Sequence, residues 1–405
     1  KMSTIYSNGN VKTKLKEPTT YNENVSCEFR ITEPCLPNIR LIDIGAKSAV
    51  NGEYNKLLGA YGIIKSIFLY QGQNKLDGCP NVQHFMAFKQ YNKSNSVNRN
   101  IKRLLVRNQM GFKLDQTDVL TDLPLIVNQS GTTDALTALS HIHLNQYLPL
   151  LDQLTVLDPS VFQNLRLVIE FNTDSQAFGD KPPATFNTRS PRLIMDCLQE
   201  GSFNPNPSSV QWNAIEQDRF VIPALAKNAA STDSLTSVKL NGFNSKMVSR
   251  ILMCKTYQNK TLNATGGNAI GFGPYASFAQ SNEKIQVVVN GVQQLPRNGV
   301  DGPNKMLSML HDTWGECDTM PGGNTLGIAT PAKLNTQLQS YQGQQSYFGM
   351  FLNQRVKDLQ FNYSRNGFID TGTATPTNEA MDCLVYAEIS KTLLIQGQTI
   401  NTLYN

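Results

Sequence analysis

Charge, histidine and tryptophan are all scarce in this chain of 405 residues. Only 17% of the residues are charged, and the chain contains four His and two Trp. Metal sites and many catalytic centres need His and acidic side chains close together. Sugar-binding grooves in turn present several aromatic rings, whereas Trp212 and Trp314 lie far apart in sequence. The composition therefore supports neither a metalloenzyme nor a carbohydrate-processing enzyme.

Paired cysteine motifs and long apolar runs are also missing. The chain has seven Cys, an odd number, and no CxxC spacing. This pattern argues for reduced thiols and synthesis inside a cell. No apolar run approaches the ~18 residues of a membrane span, and no secretory signal is evident, so we expect a soluble protein or one made insoluble only by assembly. The net charge of +5 is too weak to indicate nucleic-acid binding by itself.

The few motifs that suggest chemistry have simpler interpretations. His141 and His143 fall in a stretch that we expect to be helical, where residues two apart diverge around the axis, so a polar patch is favoured over a metal site. The Gly-rich segment 266–273 lacks the Lys-Ser or Lys-Thr of a phosphate loop and is interpreted as a mobile loop. The segment 311–316 contains His, Asp and Glu, but Trp314 and its apolar neighbours favour a buried amphipathic segment. We therefore expect no catalytic, cofactor-binding or metal-binding residues, and a protein that is not an enzyme.

What the chain does have is a pattern that occurs twice. Abundant Asn, Gln, Ser, Thr and Gly favour strands joined by turns and long polar loops, which indicates an all-β fold. Three strand-like segments of the first half have counterparts in the same order in the second half. The pairs are 67–78 with 287–299, 165–172 with 356–363, and 193–198 with 384–389. The shared order predicts two similar domains.

Composition divides the chain into four parts. Residues 1–25 form an N-terminal basic arm whose start, with Lys1, Lys12, Lys14 and Lys16, has few apolar residues, so it is expected either to order against a partner or to be disordered. Residues 200–209, rich in Pro, Asn and Ser, are the predicted linker. The first domain is then 26–199 and the second 210–405.

Two regions have a less regular pattern. Leucines recur at helical spacing over 132–157 and predict one or two short helices, with Pro149 as a break. The segment 85–119 is predicted to be a loop-rich hairpin region. Long polar loops at 92–121, 176–192, 258–281 and 315–341 are unusual unless they have a role, typically at an interface.

Four segments carry a resemblance to a known family. They are Gly-Ile-Ile-Lys-Ser-Ile-Phe-Leu-Tyr at 62–70, Glu-Lys-Ile-Gln-Val-Val-Val-Asn-Gly-Val-Gln-Gln-Leu-Pro-Arg at 283–297, Asp-Thr-Trp-Gly at 312–315, and the closing strand at 384–396. With these segments the chain resembles the double jelly-roll major capsid proteins of polinton-like viruses and virophages, in the adenovirus-type lineage of double-stranded DNA viruses. The resemblance implies two consecutive eight-stranded jelly rolls with short helices in loops.

The resemblance also implies the protein's partners. Three copies would form a pseudo-hexameric capsomer, which would tile an icosahedral shell with neighbouring capsomers, penton proteins and minor capsid proteins. The protein would be assembled inside the host cell and found in the virion, without a cofactor. Lys1, Lys12, Lys14 and Lys16 would give at most a weak, salt-sensitive genome contact. Whether an internal membrane lines the shell is left open.

Two other functions remain as alternatives. One is a β-sandwich carbohydrate- or receptor-binding module, which would be a monomer or dimer with a clustered aromatic platform. The other is a minor or vertex capsid protein built on a single jelly roll with an added domain, which would form pentamers.

Overall fold

The structure is a computed structural model. The described residues are 2–8, 10–23, 25–42, 59–92, 142–172, 191–199, 203–223, 234–257, 275–276, 283–296, 299–301, 303–315, 347–365, 380–397 and 399–405. Within these residues strands dominate, with two α-helices and three short 3₁₀ helices.

The described part of the first half contains ten strands and one α-helix. In order they are β1 (Met2–Asn8), β2 (Val11–Lys16), β3 (Thr20–Asn22), β4 (Ser26–Arg30), β5 (Arg40–Ile42), β6 (Ile64–Gln71), β7 (Asn74–Cys79), α1 (Val82–Asn92), β8 (Ile142–His143), β9 (Leu165–Phe171) and β10 (Arg192–Leu198). The 3₁₀ helices are Gly59–Ile63, Leu144–Gln146 and Pro149–Asp152.

In the second half, the residues that the structure describes form eleven strands and one further α-helix. In order they are β11 (Ser209–Ile222), β12 (Ser234–Lys239), β13 (Lys246–Tyr257), β14 (Tyr275–Ala276), β15 (Glu283–Val289), β16 (Val292–Gln293), β17 (Val300–Asp301), α2 (Pro303–Trp314), β18 (Tyr347–Val356), β19 (Leu359–Arg365), β20 (Met381–Gln396) and β21 (Thr399–Tyr404).

Each half folds into two antiparallel sheets whose strands are ordered in the same way. The first half has the orders β1-β2-β10-β5-β8 and β3-β4-β9-β6-β7. The second half has β11-β20-β13, with β14 and β18 on β13 and β21 on β20, and β12-β19-β15, with β16 and β17 on β15. Thus β2, β10, β5 and β8 correspond to β11, β20, β13 and β18, and β4, β9, β6 and β7 correspond to β12, β19, β15 and β16 with β17. Each half is a jelly roll.

This correspondence confirms the predicted repeat. The segments 67–78 and 287–299 both contain a strand, a tight turn and its returning partner, and an α-helix follows each of them. In the second half the turn is Asn290-Gly291, with φ of 55° and 79°. Both residues thus have the positive φ that a two-residue turn joining twisted antiparallel strands requires.

The basic segment near the start of the chain is part of a sheet, which corrects its interpretation as a free arm. β2 is hydrogen-bonded to β10 from Leu193↔Lys16 to Leu198↔Val11. Lys14 forms an ion pair with Glu33, and Lys16 is only 8% exposed. Lysines alternate in this segment with Val11, Thr13 and Leu15, which is the pattern of a strand. The neighbouring strand that it pairs with is β10. β3 joins the other sheet in the same way, through β4.

Two further predictions are corrected in part. The described part of 132–157 contains the short strand β8 and two 3₁₀ helices, with Pro149 beginning the second of them, and no α-helix. In 85–119 the structure places the C-terminal part of α1, and 93–119 lies outside the described residues. Buried Val82, Phe85 and Met86 have the spacing of a helix face, which the surrounding polar residues obscured.

Buried side chains form two clusters. The second core belongs to the second half alone and includes Phe220, Phe361 and Val385. The other cluster, here called the shared core, contains the apolar interior of the first half together with second-half residues. Those second-half residues are Val210, Trp212, Ala214, Ile215, Leu252, Cys254, Leu310, Trp314, Tyr347, Leu384, Tyr386, Leu393 and Ile400. The two jelly rolls are therefore joined by continuous apolar packing.

Candidate functional site: the seam between the two jelly rolls

An aromatic cluster lies where the two halves meet, a region here called the seam. Phe85 and Phe88 of α1 lie edge-on to Trp314 of α2, with ring centroids 5.8 Å apart in both pairs. Phe88 also lies 5.1 Å from Tyr347, and Phe85 lies 5.6 Å from Tyr386. Edge-to-face and tilted pairs at these separations are favourable beyond the area they bury. The two α-helices thus pack their aromatic side chains together across the seam.

Arg250 on β13 holds Trp314 from the other side. Its guanidinium lies 4.0 Å from the centre of the Trp314 ring, pairs with the Glu388 carboxylate and donates to the carbonyl oxygen of Thr313 at 2.8 Å. The indole N–H of Trp314 donates to the carbonyl oxygen of Ile251 at 2.9 Å. Because every polar group here has a partner, the C-terminal end of α2 is fixed against the sheet.

Hydrogen bonds cross the seam as well. The Tyr386 hydroxyl donates to the carbonyl oxygen of Asn81 at 2.6 Å, and the Asn81 amide donates to Gln217 Oε1 at 3.2 Å. Asn206, in the connection between the halves, accepts from the backbone N–H groups of Thr155 and Val156 at 2.7 and 3.1 Å. These bonds are directional, so they fix the relative placement of two bodies that apolar packing alone would leave freer to slide.

A buried group of charges lies beside the seam. Glu216 of β11 has Lys246 Nζ 2.6 Å from its Oε2 and Lys391 Nζ 2.6 Å from its Oε1, and the Tyr404 hydroxyl donates to Oε1 at 3.2 Å. Burial alone would raise the pKa of Glu216, but the charge of Lys391 and the hydrogen bonds of both lysines outweigh burial and hold the pKa at about 2. Lys391 is 1% exposed, so it depends on this carboxylate for its counter-charge.

The first half has an acid with the opposite shift. Asp77 of β7 accepts from the backbone N–H groups of Leu150 and Gly78 at 2.8 and 2.9 Å. Burial raises the pKa of Asp77 to about 6, although these two bonds and the charge of Lys391 act to lower it. Two acids near the seam therefore respond to pH in different ranges.

The seam also encloses a cavity of about 250 Å³. Its walls come from both halves: Cys79, Val82, Phe85, Phe88, Lys89, Gln146, Tyr147, Pro149, Asp152, Gln153, Trp212, Asn213, Ile215, Arg250, Trp314 and Glu388. The two tryptophans that are distant in sequence thus line one space. They are 4% and 6% exposed, so their rings serve packing and form no open platform.

The residues considered as candidates for chemistry do not converge. His311 and Asp312 are exposed and 3.7 Å apart, while the neighbouring Trp314 is buried, as predicted for an amphipathic segment. His143 lies in β8 with its Nδ1 3.3 Å from Asn38, whereas His141 and 266–273 lie outside the described residues. Within the described parts of the chain, no group of three His, Cys, Asp or Glu could hold a metal, and no helix is long and apolar enough to cross a membrane.

Solved structures with the same fold come from viruses. PBCV-1 VP54, in a crystal structure fitted into a cryo-EM reconstruction of the virophage Sputnik, matches with a TM-score of 0.56 at 12% identity, over 100% of this chain and 99% of that chain. The 3.5 Å cryo-EM structure of the Sputnik virophage matches with 0.57 at 11%, over 99% and 90%. The mavirus major capsid protein matches with 0.52 at 10%, over 99% and 92%. The chain has the fold of a viral major capsid protein.

Sequence comparison adds nothing to this. No protein-family model matches the chain, and no curated protein matches it. At 10–12% identity the likeness rests on the arrangement of strands. The double jelly roll expected from the sequence is confirmed as the fold.

Proposed function

We propose that this chain is the major capsid protein of a double-stranded DNA virus, forming trimeric, pseudo-hexameric capsomers that tile an icosahedral shell. One observation carries the proposal: the fold match extends over nearly the full length of both chains, including the mavirus major capsid protein. A shared single sandwich would be weak support, because sandwiches serve many functions. Two jelly rolls joined in the same way over the whole chain are a far more specific arrangement.

The two similar halves suit a hexagonal lattice. A trimer of a chain with two jelly rolls presents six nearly equal edges, so it can have six neighbours although it has threefold symmetry. Such a subunit must keep its two halves in a constant relation. The shared core, the Trp314 cluster and the hydrogen bonds from Asn81 and Asn206 support that requirement.

The domain boundaries follow the same division. The last strand of the first half ends at Leu198, and the first strand of the second half begins at Ser209. We place the junction at 200–209, with the jelly rolls on either side. Since β2 and β3 belong to the sheets of the first half, its extent would begin near β2 instead of at residue 26.

The expected partners are other copies of the chain and, in the shell, penton and minor capsid proteins. The proposed genome contact is weakened, because Lys14 is paired with Glu33 and Lys16 is buried. The long polar loops remain the proposed contacts between subunits. The virion is the proposed location, after assembly inside the host cell.

The carbohydrate-binding alternative finds no support in the described surface. Its large exposed apolar side chains are Val25, Val221, Val292, Phe351, Leu403 and Tyr404, of which two are aromatic. A sugar platform requires aromatic faces open to solvent. In the described residues the cluster around Trp314 is buried in the seam, and the partly exposed pair of Phe68 and Tyr70 has Lys75 and Arg166 over its rings.

The mass of the purified chain in solution tests the proposal. Light scattering after size exclusion is expected to give three times 44.9 kDa, and electron microscopy of the same peak a hexagonal outline. In purified virus particles the chain should be the most abundant protein by mass spectrometry. A stable monomer would favour the binding module, and a pentamer would favour a vertex protein; either result contradicts the proposal.

A further inference from the structure

Cys35 and Cys197 lie directly opposite each other on neighbouring antiparallel segments. The backbone N–H of Leu36 donates to the carbonyl oxygen of Asp196 at 2.9 Å, and that of Leu198 donates to the carbonyl oxygen of Pro34 at 2.8 Å. These bonds flank the isolated bridge between the two cysteines. The cysteines therefore occupy a non-hydrogen-bonded pair, the type of antiparallel position with the closest side chains.

The spacing of such a pair fits a disulfide. Directly opposed residues of this type have Cα atoms about 4.5 Å apart and side chains on the same face. A disulfide requires a Cα separation of about 4.4–6.8 Å, so little backbone movement is needed. Both side chains also belong to the shared core, which agrees with their common orientation.

The backbone around the pair is held on both sides. Cys35 exchanges two further hydrogen bonds with Leu157, at 3.1 and 2.8 Å, and Cys197 lies opposite Lys12 of β2. The pairing of Cys35 with Cys197 cannot shift by one residue without breaking the hydrogen bonds to Leu157 on one side and to β2 on the other. The two thiols are thus held in proximity by the fold itself.

Both thiols are shielded but not equally. Cys35 is 0% exposed and Cys197 is 3% exposed. Burial raises the pKa of both thiols, to about 11 for Cys197 and further for Cys35; at Cys197 the charges of Glu33 and Asp196 also raise the pKa, and those of Lys14 and Lys16 lower it. At neutral pH the pair is protonated, and Cys197 is the easier thiolate to form.

We propose that Cys35 and Cys197 form a cross-strand disulfide when the protein meets a hydroperoxide. The Cys197 thiolate attacks one oxygen of hydrogen peroxide, which forms a sulfenic acid and releases hydroxide. The Cys35 sulfur then attacks the sulfenic sulfur, and water leaves as the S–S bond forms. Two thiols and one peroxide become one disulfide and two waters, so the thiols lose two electrons and two protons to the oxidant.

A second pair of cysteines provides a matched control. Cys254 and Cys383 lie on the neighbouring strands β13 and β20, but Cys254 is opposite Leu384, and Cys383 is opposite Lys255. Cys254 belongs to the shared core and Cys383 to the second core, so their side chains point to opposite faces of one sheet. Proximity in the sheet without a common face should leave this pair reduced.

The test treats the folded full-length chain with hydrogen peroxide, unfolds it, blocks the remaining thiols and maps the peptides with and without reductant. We expect two of the seven thiols to be lost, one peptide joining Cys35 to Cys197, and full recovery on reduction. The initial rate should rise about tenfold per pH unit below the pKa of Cys197, because the thiolate reacts. Cys197→Ser should abolish the joined peptide, and Cys254→Ser should leave it unchanged.

Several outcomes would overturn the inference. They are seven blocked thiols after peroxide treatment, oxidation of Cys197 to higher acids without a joined peptide, and joined peptides that involve Cys254 or Cys383 equally. The mapping of the unsubstituted chain decides the question even if a Ser variant fails to fold. In the oxidised unsubstituted protein the melting temperature should rise by several degrees relative to the reduced form, since the bond closes a long loop. An unchanged melting temperature would contradict the inference that the disulfide fits the native backbone.

Discussion

The strands β10 and β20 occupy corresponding positions in the sheets of the two halves, yet they are buried differently. In β10 the buried Met195 and Cys197 face the shared core, and Asp196 on the other face is partly exposed, as expected when one face of a sheet packs on a core. In β20 Cys383, Val385 and Ala387 face the second core, while Leu384 and Tyr386 face the shared core. One sheet of the second half therefore serves two cores.

The difference explains how a repeated fold becomes one rigid subunit. The same double burial occurs in β13, where Leu252 packs in the shared core and Met253 in the second core. The first half contributes β7 and the 3₁₀ helix at Pro149–Asp152 to this contact, both of which pack on β11. A sheet buried on both faces stabilises both halves, so damage to the seam should uncouple them as well as weaken them.

The largest expected effect comes from two core truncations that differ only in which core they affect. Trp314→Ala leaves a cavity in the seam, and Phe361→Ala leaves one in the second core, where the ring centroids of Phe361 and Phe220 are stacked 5.7 Å apart. Each should cost about 3–5 kcal/mol of unfolding free energy. In calorimetry Trp314→Ala should split the unfolding into two transitions, whereas Phe361→Ala should mainly lower the stability of the second half. Two identical profiles would contradict the distinction between the cores.

Glu216→Gln should lower the unfolding free energy nearly as much, because it removes the negative charge that the two lysines contact. The carboxylate has a pKa of about 2 in the folded protein against 4.5 ordinarily, which corresponds to about 3 kcal/mol. An acid with a lowered pKa stabilises the protein above its ordinary pKa, and this contribution is lost as the pH falls from about 4.5 to 2. Denaturant unfolding at pH 7 and pH 3 should therefore show a smaller deficit at pH 3.

Glu170→Gln, at an exposed position of β9, provides the control for Glu216→Gln. Its effect should stay within about 0.5 kcal/mol at both pH values, as for most surface substitutions. An equal loss in both variants would show that the cluster around Lys391 contributes no special stability.

Gly349→Ala tests how closely α2 approaches β18. A Cβ at this position would lie 2.6 Å from Trp314 Cδ1 and 3.0 Å from Leu310 Cδ1. Overpacking of this kind should cost about 1–3 kcal/mol. In the Trp314→Ala background the same substitution should cost much less, because the clash is gone, and a double-mutant cycle measures the difference. A cost that is unchanged in that background would place the strain elsewhere.

The smallest net change is expected from Asp77→Asn, the acid of the first half. Its pKa is raised from 3.8 to about 6, so the folded protein keeps a proton that the unfolded chain releases. Its contribution favours folding below about pH 3.8 and is lost as the pH rises to about 6. The variant should flatten the pH dependence of stability between pH 4 and 6. At pH 7 the unfolding free energy should change by only about 1 kcal/mol, because removing the buried charge of Asp77 stabilises the folded protein while the weaker hydrogen bonds of the amide destabilise it. An unchanged slope would contradict the raised pKa.

Local signals in the sequence were enough for the repeat and the all-β class. These features depend on residue alternation and turn chemistry, which are visible in a few neighbouring residues. The helix α1 was missed because its apolar face, with Phe85 and Met86, is embedded in polar residues that fit a loop equally well. The basic segment was misinterpreted because the partner of β2, the strand β10, lies far along the chain: the paired residues Thr13 and Asp196 are 183 positions apart.

The seam was beyond sequence reasoning for the same physical reason. Trp212 and Trp314 seemed too far apart to act together, and the structure places them on one cavity. By itself the sequence determined the all-β class and that the chain repeats, because these follow from short-range pattern. Only the tertiary structure decided which sheet is buried on both faces, which charges meet at Glu216, and that Cys35 lies opposite Cys197, because those depend on contacts between segments that no local pattern relates.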